Sequence, residues 1–438
     1  MIAMNNRRYA MIANEVWDGV SGQCRSNLAV IVDGEKIEST CPVDQVPREI
    51  EVVRLGADSV LLPGLIDAHI HYSPWMGPAF LAAGVTSVRD TGNDLDWIAA
   101  QQSRNSSDLL AGPQIISCGL LLDGPRPYWH YIGRGHPDAN ALRASIREEA
   151  KRGLRFIKFY DGLDQSFIEA GMKEAKELGL WVLVDFGTDE PKAVDAVRAG
   201  INEIEHLTGC PVAWHNSSQA EQDQLIDMLL ARKVVMTATL ITYCQLGRMQ
   251  EMAYRFDGRQ AWAHPTYRDI WRQIPPAPLA QRDKFQEATL NQKRFVKRLH
   301  ERGATLAVGT DAPFAYILPG FGVHDELAMF VDAGVPEVAS LRAATSGNAA
   351  LLGLEKEVGR IETGFFADML VVSGNPLKQI HNIANVECVV RRGRVLPLEQ
   401  LKARSVDECG KTLDDPITRD LQRYMASAAQ KRASSNAS

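Results

Sequence analysis

Short apolar runs alternate with longer amphipathic stretches between Leu61 and Thr310, and this alternation restricts the fold more than any other feature of the chain. The runs are LIDAHIH, VTSVRD, PQIISCG, LRFIKFY, LWVLVDF, INEIEH, VVMTATL and ATLAVGT, with helical patterns such as QSFIEAGMKEAKELG and SQAEQDQLIDMLLARK between them. Apolar runs of four to eight residues read as buried strands. A strand followed by a helix, repeated, implies a parallel sheet, and eight repeats in one domain predict a closed (β/α)8 (TIM) barrel over residues 61–353.

The texture differs at both ends. Residues 1–60 carry short β-type runs, among them NLAVIVDGEKIES, which predicts a hairpin turning at Asp33-Gly34. Beyond Gly353 the β texture returns in GRIETGFFADMLVVSGNPL and VECVVRRGRVL. Residues 1–60 and 354–400 are therefore expected to form a small composite β-sandwich beside the barrel, giving an α/β chain of two units. Residues 401–438 predict a short helix and a frayed tail. About forty residues, Ile241 to Arg282, separate the seventh strand from the helix before the eighth. They include Tyr243, Met249, Met252, Tyr254, Phe256, Trp262, His264, Tyr267 and Trp271. A connection of that length is commonly a lid or binding segment. Packing against a partner subunit in a homo-oligomer would explain it equally well.

Composition excludes several classes. The 438 residues are 45% hydrophobic and 23% charged with a net charge of −6, which leaves no basic footprint for nucleic acid. No run is apolar enough to span a membrane. The seven cysteines are scattered without a C-x-x-C pair, so free thiols and a reduced cytoplasmic compartment are expected. The start MIAMNNRRYAMIANEVWDG lacks the apolar core and cleavage site of a secretory signal. The expected partner is a small-molecule substrate.

In a barrel of this kind the chemistry sits where the strands end. The first run ends in DAHIH, so His69 and His71 share a face and suit a divalent cation. The fourth puts Lys158 on the face of Phe156 and Tyr160, where a lysine is costly unless neutralised. The sixth ends at His206 and the eighth at Asp311. Alone, each would read as a cap, an ion pair or a hydrogen-bonded core residue. Five such residues on one face point to a metal site.

The stretches LLPGLIDAHIH, AAGVTSVRDTG, FIKFYDG, INEIEHLTG, AVGTDAP and HDELAMFVDAGVPEVASLRAATSGNAALLGL, in this order, resemble the amidohydrolase superfamily in its imidazolonepropionase-like and prolidase-like branch. The resemblance covers about residues 10–395. It implies that His69, His71 and Asp311 hold a more buried divalent ion, and that His206 holds a second. Lys158 would be carboxylated and bridge them. A water between the ions would attack, and Asp311 would take its proton and pass it to the leaving group. Zinc is the expected metal, with manganese or iron as alternatives. The resemblance also gives His324, in GVHDEL, a substrate contact; a histidine capping its own helix is the plainer reading.

The fifth run, GLWVLVDFGTDE, departs from the pattern, for it ends in Asp185 where the family normally has a histidine. Asp185 is then a ligand, or the site works with one ion, or catalysis has been lost. The other ligand positions are intact, which favours an active enzyme with one or two ions. Hydrolysis of an amide-type C–N bond in a lactam, cyclic imide, N-acyl amino acid or Xaa-Pro-like substrate is what the resemblance implies. A metal-dependent lyase or cyclase, or a non-catalytic scaffold, remains open. The segment LLDGPRPYWHYIGRGH carries Tyr128, Trp129, His130, Tyr131, Arg134 and His136. With the aromatic insertion after the seventh strand, these residues offer an aromatic pocket with a cationic side, suited to a planar or aromatic substrate bearing a carboxylate, or plain surface packing. Tyr160 is a further expected substrate contact.

Overall fold

The structure is a computed structural model that describes residues 8–186, 192–207, 209–210, 212, 217–249, 251, 257–274, 279–314 and 316–436. Each of the eight apolar runs contains a strand: Leu65–Ile70, Val85–Asp90, Gln114–Ser117, Phe156–Phe159, Trp181–Val184, Glu203–Glu205, Val235–Thr237 and Leu306–Ala307. The first three pair in parallel as one sheet, and the last five lie in a seven-stranded parallel sheet. The two sheets meet along the first and eighth strands. The Ala68 amide donates to Val308 O at 2.9 Å, and Ile70 bridges Ala312.

Two strands were not anticipated. Leu121–Asp123 and Gly133–Gly135 fall within LLDGPRPYWHYIGRGH, and Leu121–Asp123 pairs with the Phe156–Phe159 strand. Leu121 and Leu122 are fully buried, so their backbone groups need partners away from water, and the sheet supplies them.

The chain ends do share a sheet. Ser59–Pro63 pairs antiparallel with Met369–Ser373 in a six-stranded sheet, and a four-stranded sheet contains the expected hairpin. Its turn lies one residue later than expected: Asp33 pairs with Lys36, so Gly34 and Glu35 form the loop, with Gly34 at φ 58°. The six-stranded sheet packs on the parallel layers. Val60, Leu62 and Leu370 belong to the same buried cluster as Leu65, Val85 and Ile157.

The C-terminal segment is more ordered than its polarity suggests. It forms two helices, Leu398–Cys409 and Pro416–Asn436. Ile417, on the second, packs against Leu121 and Ile132, with Leu421 partly buried beside them. All seven cysteines are free, and among the described residues no helix is long and apolar enough to cross a membrane.

Candidate metal centre

His69, on the first strand, is fully buried. Its Nδ1 stands 2.5 Å from Glu205 Oε2, so the carboxylate takes one side of the ring and leaves Nε2 for a ligand. His206 repeats this arrangement with Nδ1 2.7 Å from Thr239 Oγ1, and His71 more weakly with Nδ1 3.4 Å from Gly92 O. The three Nε2 atoms then converge on carboxylates. His69 and His71 lie 3.5 and 3.6 Å from Asp311 Oδ1, and His206 lies 3.4 Å from Asp185 Oδ2. Lys158 Nζ completes the group, 3.3 Å from His69 Nε2 and 3.6 Å from Asp185 Oδ2.

Burial, and then the Lys158 charge, push His69 well below the usual histidine range and His71 down to about 3. Both rings are therefore neutral, the form that ligates cations. Burial also raises Asp311 to about 6, with the neighbouring imidazole and ammonium groups opposing it. The donor set fits a divalent ion. His69, His206 and Asp311 alone offer ligand atoms within 4.8 Å of one another. The Asp185 and Asp311 side chains keep 16% and 14% exposure, so the group opens to the strand-end face.

Backbone strain gathers here. His206, Thr239 and Asp311 have φ of 60°, 43° and 64°, in the left-handed region that side chains usually avoid. Asp67 holds the eighth strand's end in place by accepting from Thr310 N at 3.1 Å and Thr310 Oγ1 at 2.7 Å. Gly309 is required by close approach, since a Cβ there would lie 2.7 Å from His69 Cβ.

Beneath the histidines lies a buried network that the strand-end reading missed. Arg89 donates to Glu203 at 2.8 and 2.6 Å, to Glu205 at 3.0 Å and to Ala68 O at 2.7 Å. Burial, then the Glu203 charge, raise Glu205 well above the carboxylate range. The signals were present: an arginine within VTSVRD, and two glutamates one residue apart in EIE. What these residues touch depended on pairing across the sheets.

The expected substrate contacts divide. Tyr160 is partly buried beside the centre, with Asp185 and then Asp311 adding to the desolvation that raises its hydroxyl well above the usual range; the hydroxyl accepts from Trp129 Nε1 at 3.0 Å. Tyr128 and His130 line a cleft of about 510 Å³ next to that pair. His324 is engaged by a backbone carbonyl. Its Nε2 is 2.8 Å from Ala83 O, where the helix Phe321–Asp332 packs on the chain leading into the second strand. Arg134 pairs with Glu148 at 2.8 Å, and His136 is buried between Asp123 O and Ser145 Oγ. In the long connection, Tyr267 and Trp271 are buried rather than exposed. Tyr267 packs on Trp75 at 4.9 Å between ring centres, and Trp271 Nε1 donates to Pro313 O at 3.2 Å. They therefore cover the ends of the first and eighth strands. Met252, Tyr254 and Phe256 lie outside the described residues.

A family model described as "Amidohydrolase family" matches residues 60–396, and the chain belongs to that family. An uncharacterized protein of Mycobacterium tuberculosis is 23% identical over 370 residues, spanning 77% of this chain and 87% of that relative. Among solved structures, a bottromycin amidohydrolase superposes with a TM-score of 0.73 at 23% identity, covering 94% of this chain and 92% of its own. A Xaa-Pro dipeptidase with bound methionine in its active site gives 0.70 at 21% identity, covering 89% and 100%. At these identities the structural likeness is one of fold.

Proposed function

We propose that the chain is a metal-dependent hydrolase of amide-type C–N bonds, with its site built by His69, His71, Lys158, Asp185, His206 and Asp311. The observation that carries this is the convergence of three imidazole Nε2 atoms, each with Nδ1 already engaged, on two carboxylates beside a buried lysine. On this reading the two parallel sheets form one (β/α)8 barrel over residues 61–353. The end-derived sheets form the accompanying sandwich from residues 1–60 and 354–400.

A divalent ion, zinc before manganese or iron, would supply a Lewis acid and lower the pKa of a bound water toward neutrality. His69, His71 and Asp311 would hold one ion. His206 and Asp185 would hold the second, with Lys158 carboxylated between them. Support for Asp185 as a ligand comes from its position, because its carboxylate already reaches His206 Nε2 and Lys158 Nζ. With Asp185 in place of a histidine, the formal charge of a two-ion site falls from about plus two to about plus one, which favours oxygen-preferring ions.

The chain's own groups divide the remaining work. Asp311, which keeps its proton to higher pH than an ordinary aspartate, would take a proton from the attacking water and return it to the leaving nitrogen. Glu205 and Thr239 keep their histidines in one orientation. Tyr267 and Trp271 exclude bulk water above the first and eighth strand ends. N-acyl amino acids and Xaa-Pro-like amides are the first substrates to try, given the dipeptidase and amidohydrolase among the fold neighbours. The test is a panel of amides, lactams and imides read by product mass. Gain of one water is expected, and it is expected to vanish in His69→Ala and Asp311→Asn. Turnover that survives either substitution contradicts the assignment.

A further inference from the structure

The C-terminal helix Pro416–Asn436 lies where strand-end loops meet, and no step of the proposed reaction uses it. Asp420, buried on this helix, accepts three consecutive backbone amides of the aromatic loop: His130 at 2.9 Å, Tyr131 at 2.8 Å and Ile132 at 2.9 Å. One helical turn on, Tyr424 packs its ring 6.0 Å from Tyr128 and 6.3 Å from Trp129. Asp415, before the helix, accepts from Ser73 Oγ at 3.0 Å, two residues beyond His71. Helix and loop together enclose the cleft of about 510 Å³, floored by Asp123, Asp161 and Gly162.

Three carboxylates and two guanidinium groups line this cleft, and the carboxylates are engaged by groups other than the guanidiniums. Asp123 spends its oxygens on the amides of Gly124 and Gly162 at 2.8 Å each and of Tyr128 at 2.9 Å, and Asp420 is occupied as above. Asp161 lies 3.8 Å from Lys192. Arg126 and Arg423 line the opening, and neither has an ion-pair partner among the described residues. Two guanidinium groups beside three aromatic rings suit a planar group bearing a carboxylate. The cleft adjoins the candidate centre through the Trp129–Tyr160 hydrogen bond.

We infer that the C-terminal helix forms a wall of the substrate site, and that Arg423, with Arg126 in the same lining, binds the carboxylate of an aromatic amide substrate while Tyr424, Tyr128 and Trp129 hold its ring. This rests on the hydrolase reading for what happens to the substrate, but not for what the cleft binds. Asp420 acts as a positioning residue, fixing the loop that carries the rings.

Calorimetry on the full-length protein tests this with phenylacetate and its neutral counterpart phenylacetone, neither of which has an amide to cleave. Wild type is expected to prefer the acid by about tenfold, the scale of a charge-assisted contact. Arg423→Ala removes most of that preference and Arg423→Lys keeps part of it, with metal content and Tm unchanged. Tyr424→Ala weakens both compounds equally. Equal binding of acid and ketone by wild type overturns the inference. So does a preference that persists in the Arg126→Ala/Arg423→Ala double variant, because the carboxylate then sits elsewhere. A protein that shows the preference but turns over no amide defeats the hydrolase reading and leaves the cleft assignment standing.

Discussion

Strand ends speak for themselves at the residue scale. His69, His71, His206 and Asp311 each interrupt an apolar run, and an unpaired polar group there is costly enough to need a function. The Arg89–Glu203–Glu205 network beneath them could not be read the same way, because its members come from strands 114 residues apart for Arg89 and Glu203. His324 shows another limit: motif resemblance gives it a substrate contact, and the backbone partner of its Nε2, Ala83 O, is not readable from the motif. The network makes a prediction of its own. Glu205→Gln keeps the shape but weakens the hold on His69 Nδ1, so metal affinity is expected to fall by about 10- to 100-fold with the fold retained. Competition with a chelating dye measures this, and unchanged affinity would make Glu205 purely structural.

The alternation of strand and helix gave the element order, since burial on both faces writes parallel strands as apolar runs. A short helix was legible in the C-terminal segment, but the extent of the second helix and its anchoring by Asp415, Ile417 and Asp420 were not. Their partners are known only once the aromatic loop is in place. Glu326 ties elements in the same hidden way, accepting from Leu240 N and Ile241 N at 2.8 Å each and so joining the helix Phe321–Asp332 to the helix Leu240–Arg248. Burial outweighs these two donors and raises its carboxyl from the ordinary 4.5 to about 8. The folded protein keeps this proton while the unfolded chain releases it. The group's contribution is therefore full below about pH 4.5 and is lost as the pH rises to about 8. Glu326→Gln, which cannot ionise, is expected to flatten the decline of Tm between these limits. Parallel Tm profiles for variant and wild type would remove Glu326 as a cause.

In the molecule as a whole, the two chain ends are joined to the parallel sheets by a common core. Leu370, in the six-stranded sheet, packs where a side chain on Gly84 would stand, its Cδ1 2.6 Å from that Cβ position. Leu370→Ala is therefore expected to cost about 2–5 kcal/mol and to lower one shared unfolding transition. Two separated transitions in calorimetry would show that the end-derived sheets unfold on their own. The C-terminal helix, through Asp420 and the aromatic loop, is likewise linked to Tyr160 beside the candidate centre. The central claim is that the strand-end residues hold divalent metal. An anomalous-scattering map from crystals of the active, full-length protein tests it most directly. A peak bounded by His69 Nε2, His71 Nε2 and Asp311 is expected, with a second touching His206 and Asp185. Active crystals with no anomalous peak among these residues would contradict it.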